Sequence, residues 1–410
     1  MTKLIMNIQN YFTGTKSLLL EILLLMSFVC CLMSGTISNY TTSSFLIKSA
    51  AFLIIILLIA LKERSLKERL LNRTSDFDFA KAIKIVSLLI VLPSLTLFYS
   101  ANPQFGFLKI LNLILSALFP ALILFYLQID WNADRLKLLV MLVLLTALIS
   151  AAVILIEKPF YYDQVYDLMT FHWSHVFFGR FLGLAFLASL IFTINQNQIR
   201  AKVLLLIVTL FIAFGLIITG LRSAISGVVV SSLFLIAAGL IKRKISSQTI
   251  MLVTSVLLAG VILFFIAGAW QGNIRTRIDN LVETFQLKDS EDEAIESRIE
   301  GYKVGVQMIS DSPLIGRGFG GFKSIYKGNK IGYIINYPHN IFIEAFAEMG
   351  AAGLLLIIFL IIVILKKSFD ISYQLFAVII FSLWLAQFSK DIPSQTTLWV
   401  GLAFVFKKKQ

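Results

Sequence analysis

The stretch YPHNIFIEAFAEMGAAGLLLIIFLIIVIL, residues 337–365, joins a polar segment to a long apolar run. Its apolar part from Ile341 to Leu365 is long enough to cross a bilayer as a helix. His339 is one of three histidines in the chain and stands at this boundary between water and lipid. Histidine gives or takes a proton near neutral pH. The stretch therefore predicts a membrane helix and suggests chemistry on a membrane-bound substrate.

Similar apolar runs recur along the chain of 410 residues, of which 58% are hydrophobic. A soluble protein of ordinary composition does not carry this much apolar surface. We predict an all-α, polytopic membrane protein with about 12 transmembrane helices. The predicted spans are 17–35, 44–61, 83–100, 106–127, 136–156, 174–194, 202–219, 221–240, 250–269, 341–365, 371–388 and a short one at 392–406.

The formal net charge of +13 comes from basic residues concentrated in particular loops. This distribution argues against nucleic-acid binding. Lysine and arginine cluster in alternate loops, whereas the loops between them are nearly free of both. This positive-inside pattern predicts that both termini are cytoplasmic. We expect three parts: nine spans in residues 1–269, a long outer segment in 270–339, and the last spans with the tail in 340–410.

The outer segment is expected to be mainly helical. Apolar residues spaced by four and three between Ile295 and Ile309 predict a helix face. Asp311-Ser312-Pro313 predicts the end of that helix. The glycines of residues 316–321 lack the Gly-Lys-Ser/Thr of a P-loop, so we interpret them as a tight turn or a close-packing surface.

Three arginines lie in or beside the outer ends of predicted elements. Arg222 occupies a short turn between two spans, Arg180 lies inside the sixth span, and Arg298 borders the buried face of the amphipathic helix. A charge at bilayer depth is costly, so it usually has a partner or faces water. Snorkelling to headgroups explains the first two, and an ion pair with neighbouring glutamates explains Arg298. The alternative is a phosphate clamp, for which the guanidinium fork is well shaped.

His339 is the candidate proton acceptor, with Asn340 and Tyr337 beside it as candidate substrate-binding residues. Glu344 follows five residues later and is a candidate for orienting the imidazole or binding substrate. An interfacial aromatic role for His339 is the simpler alternative.

Two other motifs suggest metal sites more weakly. His172 and His175 have a spacing that permits a shared metal, but aromatic neighbours favour an interfacial belt. Asp76 and Asp78 lie on the predicted cytoplasmic side, where a solvated helix cap explains them. We therefore assign no metal ligand.

These residues resemble the bacterial O-antigen ligases. His339-Asn340, followed by nine residues, Gly350, two residues and Gly353, fits the family pattern H-[N/S/Q]-x9-G-x-x-[G/T/Y]. The turn of residues 219–223 is similar to the family's short outer turn with its essential arginine, here Arg222. Ser297-Arg298, with Ser312-Pro313-Leu314-Ile315-Gly316 downstream, is similar to the second arginine motif and the passage after it. The specific matches cover about 219–223 and 297–353.

The resemblance implies a GT-C-like glycosyltransferase architecture with one long periplasmic loop in a Gram-negative inner membrane. It implies metal-independent, inverting transfer of a polysaccharide from undecaprenyl diphosphate to the lipid A core, with no cofactor. The catalytic residues would be His339, Arg222 and Arg298, assisted by Arg180. Related O-antigen polymerases remain an alternative, and intramembrane charges leave a polysaccharide or lipid transporter as a further one.

Overall fold

The fold was examined in a computed structural model, which describes residues 79–122, 124, 133–157, 167–168, 173–270, 293–326, 335–388 and 390–406. The first two predicted spans, the acidic pair Asp76 and Asp78, and His172 lie outside these residues. For His175 only the backbone is described.

The described chain is helical apart from one short antiparallel strand pair, in which Asp167 opposes Ser174 and Leu168 opposes Trp173. The longer helices are α1 Phe79–Thr96, α2 Pro103–Leu113, α3 Ala133–Glu157, α4 His175–Asn195, α5 Ile199–Thr219, α6 Arg222–Ile241, α7 Ser247–Trp270, α8 Glu293–Asp311, α10 Ile341–Ile371 and α11 Tyr373–Ala386. The short ones are α9 Phe322–Ile325, α12 Thr396–Trp399 and α13 Leu402–Val405. The strands are β1 Asp167–Leu168 and β2 Trp173–Ser174.

Within the described residues, 6 helical segments are long and apolar enough to cross a membrane. Four shorter apolar helical segments accompany them. The prediction of a polytopic, helical membrane protein is therefore confirmed, whereas the full count of about 12 spans stays a prediction. The amphipathic helix of the outer segment is also confirmed, and it ends at Asp311 as its sequence indicates.

The last predicted span, 392–406, differs from the single helix expected. It consists of a 3-10 turn at Ile392–Ser394 followed by the short helices α12 and α13. Gly401 lies between these helices, and a side chain there would meet the Ile364 methyl of α10 at 2.5 Å. Val400 and Gly401 keep right-handed helical dihedral angles, so the two short helices follow one another directly, and the small residue lets this segment pack closely on α10.

Two apolar cores hold the helices together. One is built by α3–α7 and α11, and the other by α1, α2, α10 and the short C-terminal helices. In the first core the Phe381 ring of α11 fits against Gly183 of α4 and Gly227 of α6. Small residues let membrane helices approach closely, which is why the ring fits between them.

The glycine-rich segment of residues 312–321, called here the glycine loop, packs into a break in α10. Gly350 has φ +66° and ψ −162°, which interrupts the helix. The Ala351 N–H donates to the Pro313 carbonyl and the Arg317 N–H donates to the Ala347 carbonyl. The loop therefore supplies hydrogen bonds that the helix loses at its break. A side chain at Gly350 would meet the Leu314 carbonyl oxygen at 2.2 Å, so glycine is required by space as well as by φ.

Candidate functional site

One end of the helical bundle gathers the predicted functional residues. Arg180 lies in the second turn of α4 and is 5% exposed. Its neighbour Gly179 faces Leu221 in the turn before α6, where an added side chain would come within 2.6 Å. Arg222 begins α6 directly after Leu221 and is half-buried. The packing of α4 on this turn thus brings both arginines to the same end of the bundle.

His339 is at the centre of this end. It has φ +59°, an uncommon conformation for a residue with a side chain, and it precedes α10 by two residues. The Tyr337 ring lies 4.7 Å from the imidazole, with the two planes at 66°. Its Nδ1 atom is buried, and none of the described residues forms a hydrogen bond with it. The backbone conformation therefore directs a half-buried imidazole with an unused ring nitrogen into the site.

Three cations lie close enough to the imidazole to affect its pKa. Burial, followed by the positive charges of Arg298, Lys390 and Arg180, lowers the pKa of His339 to about 3. Both causes act in the same direction, because burial and nearby positive charge each disfavour the imidazolium. In the protein without substrate, His339 is therefore neutral at physiological pH and can accept a hydrogen bond or a proton.

Lys390 and Gln395 reach the site from a segment between α11 and α12. We call residues 390–395 the site loop. Lys390 has φ +69° and is 6% exposed, and its carbonyl accepts a hydrogen bond from Gln395 Nε2 at 3.2 Å. The Arg180 guanidinium donates to Gln395 Oε1 and to the Leu385 carbonyl, each at 3.4 Å. The site loop is therefore tied to α4 through Arg180.

Asn340 caps α10. Its Oδ1 accepts hydrogen bonds from the Phe342 and Ile343 amides at 3.0 and 3.1 Å. Its Nδ2 donates to Gln387 Oε1 at 3.1 Å. These contacts fix the residue after His339 at the helix start, as expected for an N-cap.

The amphipathic helix α8 brings Arg298 over the same end. The Tyr302 hydroxyl, one turn further along, donates to the Gln387 carbonyl at 3.1 Å. Gly305 lies against Pro338 and Ile343, so this helix rests on the turn that carries His339. The outer segment is thus held on the helical bundle through α8.

Glu344 lies in a separate buried group. Its Oε1 and Glu348 Oε2 each accept a hydrogen bond from Lys109 Nζ at 2.6 Å, and the three side chains are fully buried. Glu344 Oε2 also accepts from the Ile392 amide of the site loop at 2.9 Å. These contacts place both Glu344 oxygens on Lys109 and the site loop. They favour an indirect role over the direct contact with imidazole or substrate that the sequence suggested.

Arg180, Arg298, Tyr337 and His339 are thus brought together, and Arg222 lies at the same end. Sequence reasoning missed Lys390, Gln395 and Lys109. Lys109 had a readable signal: a lysine in the apolar run of α2 needs a counter-charge, and α10 carries two glutamates one turn apart. Lys390 follows α11 without a motif of its own, and only folding brings it near His339. Within the described residues, no group of three or more His, Cys, Asp or Glu is arranged to hold a metal ion.

The fold and site define a helical membrane protein with a histidine enclosed by basic side chains at one end of the bundle. Residues 207–358 match the family model described as O-antigen ligase. This match confirms the resemblance seen in the sequence motifs. It covers Arg222, Arg298, His339 and both glutamates of the buried group, and it supports a membrane glycosyltransferase activity of the ligase or polymerase type. Among curated proteins, no sequence matches the chain.

Proposed function

We propose that this protein is an O-antigen ligase of the Gram-negative inner membrane. It moves a polysaccharide from undecaprenyl diphosphate to a sugar hydroxyl of the lipid A core at the periplasmic face. The observation that carries the proposal is the presence of three cations, Arg180, Arg298 and Lys390, close enough to His339 to lower its pKa. In a chain with an O-antigen ligase match, such a group of cations suits a substrate with a diphosphate leaving group.

The reaction is a displacement at the anomeric carbon. The acceptor oxygen forms a bond to this carbon while the bond to the diphosphate oxygen breaks, which inverts the configuration. The leaving diphosphate takes the electron pair, so negative charge builds on it. Arg298 and Arg180, with Arg222 at the same end, stabilise this charge as fixed donors, a role that commonly contributes a large part of an enzyme's rate. Fixed cations of this kind make the transfer metal-independent, and no cofactor takes part.

The acceptor hydroxyl must lose its proton as it attacks, and we assign the role of proton acceptor to His339. In the free protein burial, followed by the nearby cations, makes this imidazole a weak base. A bound diphosphate compensates the charge of the cations and raises the pKa of His339 above its value in the free protein. The donor therefore activates the base, and acceptor chemistry starts only after the donor is bound. Tyr337 and Asn340 lie beside His339, where we place the sugar next to the diphosphate.

The test uses purified protein with undecaprenyl-diphosphate-linked polysaccharide and rough lipopolysaccharide, in EDTA and without nucleotide. Wild type is compared with His339→Ala. Movement of polysaccharide onto the lipid A core by wild type alone supports the proposal. Longer donor chains with no product on lipopolysaccharide would indicate a polymerase. Absence of both reactions would make transport the leading alternative.

A further inference from the structure

A buried ion group links α2 to α10 within the second apolar core. Lys109 of α2 contacts Glu344 and Glu348 of α10, and all three are 0% exposed. The Lys109 ammonium also lies 4.4 Å from the centre of the Phe319 ring in the glycine loop. Lys109 therefore contacts α10 and the glycine loop at the same time.

The two glutamates are equivalent toward Lys109 but differ in their other contacts. Both accept from its ammonium at 2.6 Å. Glu344 Oε2 additionally accepts from the Ile392 amide, whereas Glu348 Oε1 has no hydrogen-bond partner among the described residues. One carboxylate is enough to neutralise one ammonium. The second is therefore not explained by charge balance, and the contact with Ile392 distinguishes Glu344.

The backbone amide and the backbone carbonyl of Ile392 each form a hydrogen bond with a side chain. Its amide donates to Glu344, and its carbonyl accepts from Trp399 Nε1 at 2.7 Å. Lys390 precedes it by two residues, and Gln395, which binds Arg180, follows by three. An irregular segment packed among membrane helices needs such partners for its polar backbone. Fixing Ile392 therefore fixes the part of the site loop from which Lys390 and Gln395 extend.

We propose that Glu344 is a positioning residue for the transfer reaction, held in its rotamer by Lys109 and acting on the site through the Ile392 amide. It keeps Lys390 near His339 and Gln395 against Arg180. Glu348 neutralises Lys109 but does not reach the site loop. This inference rests on the proposed glycosyl transfer, whose fixed cations must already be in place when the leaving diphosphate gains charge.

The experiment compares Glu344→Met with Glu348→Met, because each leaves one carboxylate paired with Lys109. We expect Glu344→Met to lower kcat at least tenfold, with a smaller change in the KM for the lipid-linked donor. Glu348→Met should stay within about twofold of wild type. Glu344→Gln keeps an oxygen for the Ile392 amide but turns its NH2 group toward the Lys109 ammonium, so it should recover part of the lost kcat. Melting temperatures of the two methionine variants in detergent should be similar.

Three outcomes would overturn the inference: an active Glu344→Met, an equal loss of kcat in both methionine variants, or a Glu344→Gln as impaired as Glu344→Met. A wild type that transfers no sugar would instead refute the proposed function. The two failures are therefore distinguishable in one assay series.

Discussion

Two buried cations in apolar helices, Lys109 and Arg180, have opposite surroundings. The ammonium of Lys109 is bonded to two carboxylates at 2.6 Å. The described hydrogen bonds of Arg180 are longer, at 3.4 Å, and go to neutral oxygens of Gln395 and Leu385. Lys109 is thus paired with two carboxylates, whereas the positive charge of Arg180 lowers the pKa of His339. We expect the first cation to stabilise the fold, and we propose that the second binds the leaving diphosphate.

Removal of Lys109 should give the largest effect on stability. Lys109→Met leaves two glutamates buried without their counter-charge, and breaking such a group costs about 3–5 kcal/mol. We expect a clear fall in melting temperature in detergent and in the amount of protein in the membrane. The control is Lys109→Met combined with Glu344→Gln and Glu348→Gln, which removes every charge and should regain most of the stability. A stable single variant would contradict the structural role of Lys109.

Removal of Arg180 should give the largest effect on activity. Arg180→Met takes away a donor aimed at the leaving group, and loss of such a donor lowers kcat by about 100- to 1000-fold. The melting temperature in detergent is measured alongside, because a loss of kcat without a matching loss of stability separates a role in transfer from a role in folding. Arg180→Lys keeps the charge but loses the fork, so it should recover only part of the rate. Full transfer by Arg180→Met would remove it from the site.

Two glycines of α8 test whether this helix positions Arg298 near His339. At Gly305 an added methyl would lie 2.5 Å from the Ile343 side chain, whereas at Gly301 its nearest neighbour, in Pro338, is 3.5 Å away. Gly305→Ala should push α8 and its Arg298 away from His339 and lower kcat by about tenfold, since small misplacements are costly in catalysis. Gly301→Ala is the matched control and should be active and up to about 1 kcal/mol more stable. Equal kcat values for the two variants would argue against α8 as the element that positions Arg298.

The pH dependence gives the smallest expected effect. His339 must be neutral to act as a base, so activity falls as pH drops through its pKa. With a pKa of about 3 in the free protein, His339 should not limit kcat/KM between pH 5 and 8. The pH profile of kcat reports the protein with its donor bound. Its fall at acidic pH should occur at a higher pH than that of kcat/KM, because the diphosphate raises the pKa of His339.

Asp391 needs a control in these profiles, since burial raises its pKa to about 6. A limb near pH 6 that disappears in Asp391→Asn belongs to this carboxyl group. A fall in kcat/KM near pH 6.5 that persists in Asp391→Asn would contradict a depressed pKa for His339.

The sequence predicted the membrane helices well, because span length and apolar runs follow from bilayer thickness. It also predicted the end of α8 at Asp311 and the close packing of the glycine loop. At 392–406 it predicted one short span, whereas the structure has a 3-10 turn followed by α12 and α13, packed against α10 at Gly401. Propensity alone does not foresee such tertiary contacts.

The sequence predicted those site residues whose polar side chain has a high free-energy cost at a lipid boundary. Arg180 and His339 stood out as polar groups at a lipid boundary, and the fold brings them together. Lys390 did not stand out, because a lysine in a polar segment carries no such cost. The contacts of Glu344 with Lys109 and Ile392 were not predicted, because these partners are more than two hundred and almost fifty residues away in sequence.

The break at Gly350 has a consequence for how the chain is assembled in the membrane. Residues 312–321 are synthesised before α10, yet α10 exposes unpaired backbone groups at its break until this loop docks. An unsatisfied backbone group in lipid costs several kcal/mol. Insertion of the stretch from Ile341 to Ile371 should therefore be completed only when the loop has crossed to the same side and docked. The glycine loop would then act as an internal check on topology during biogenesis.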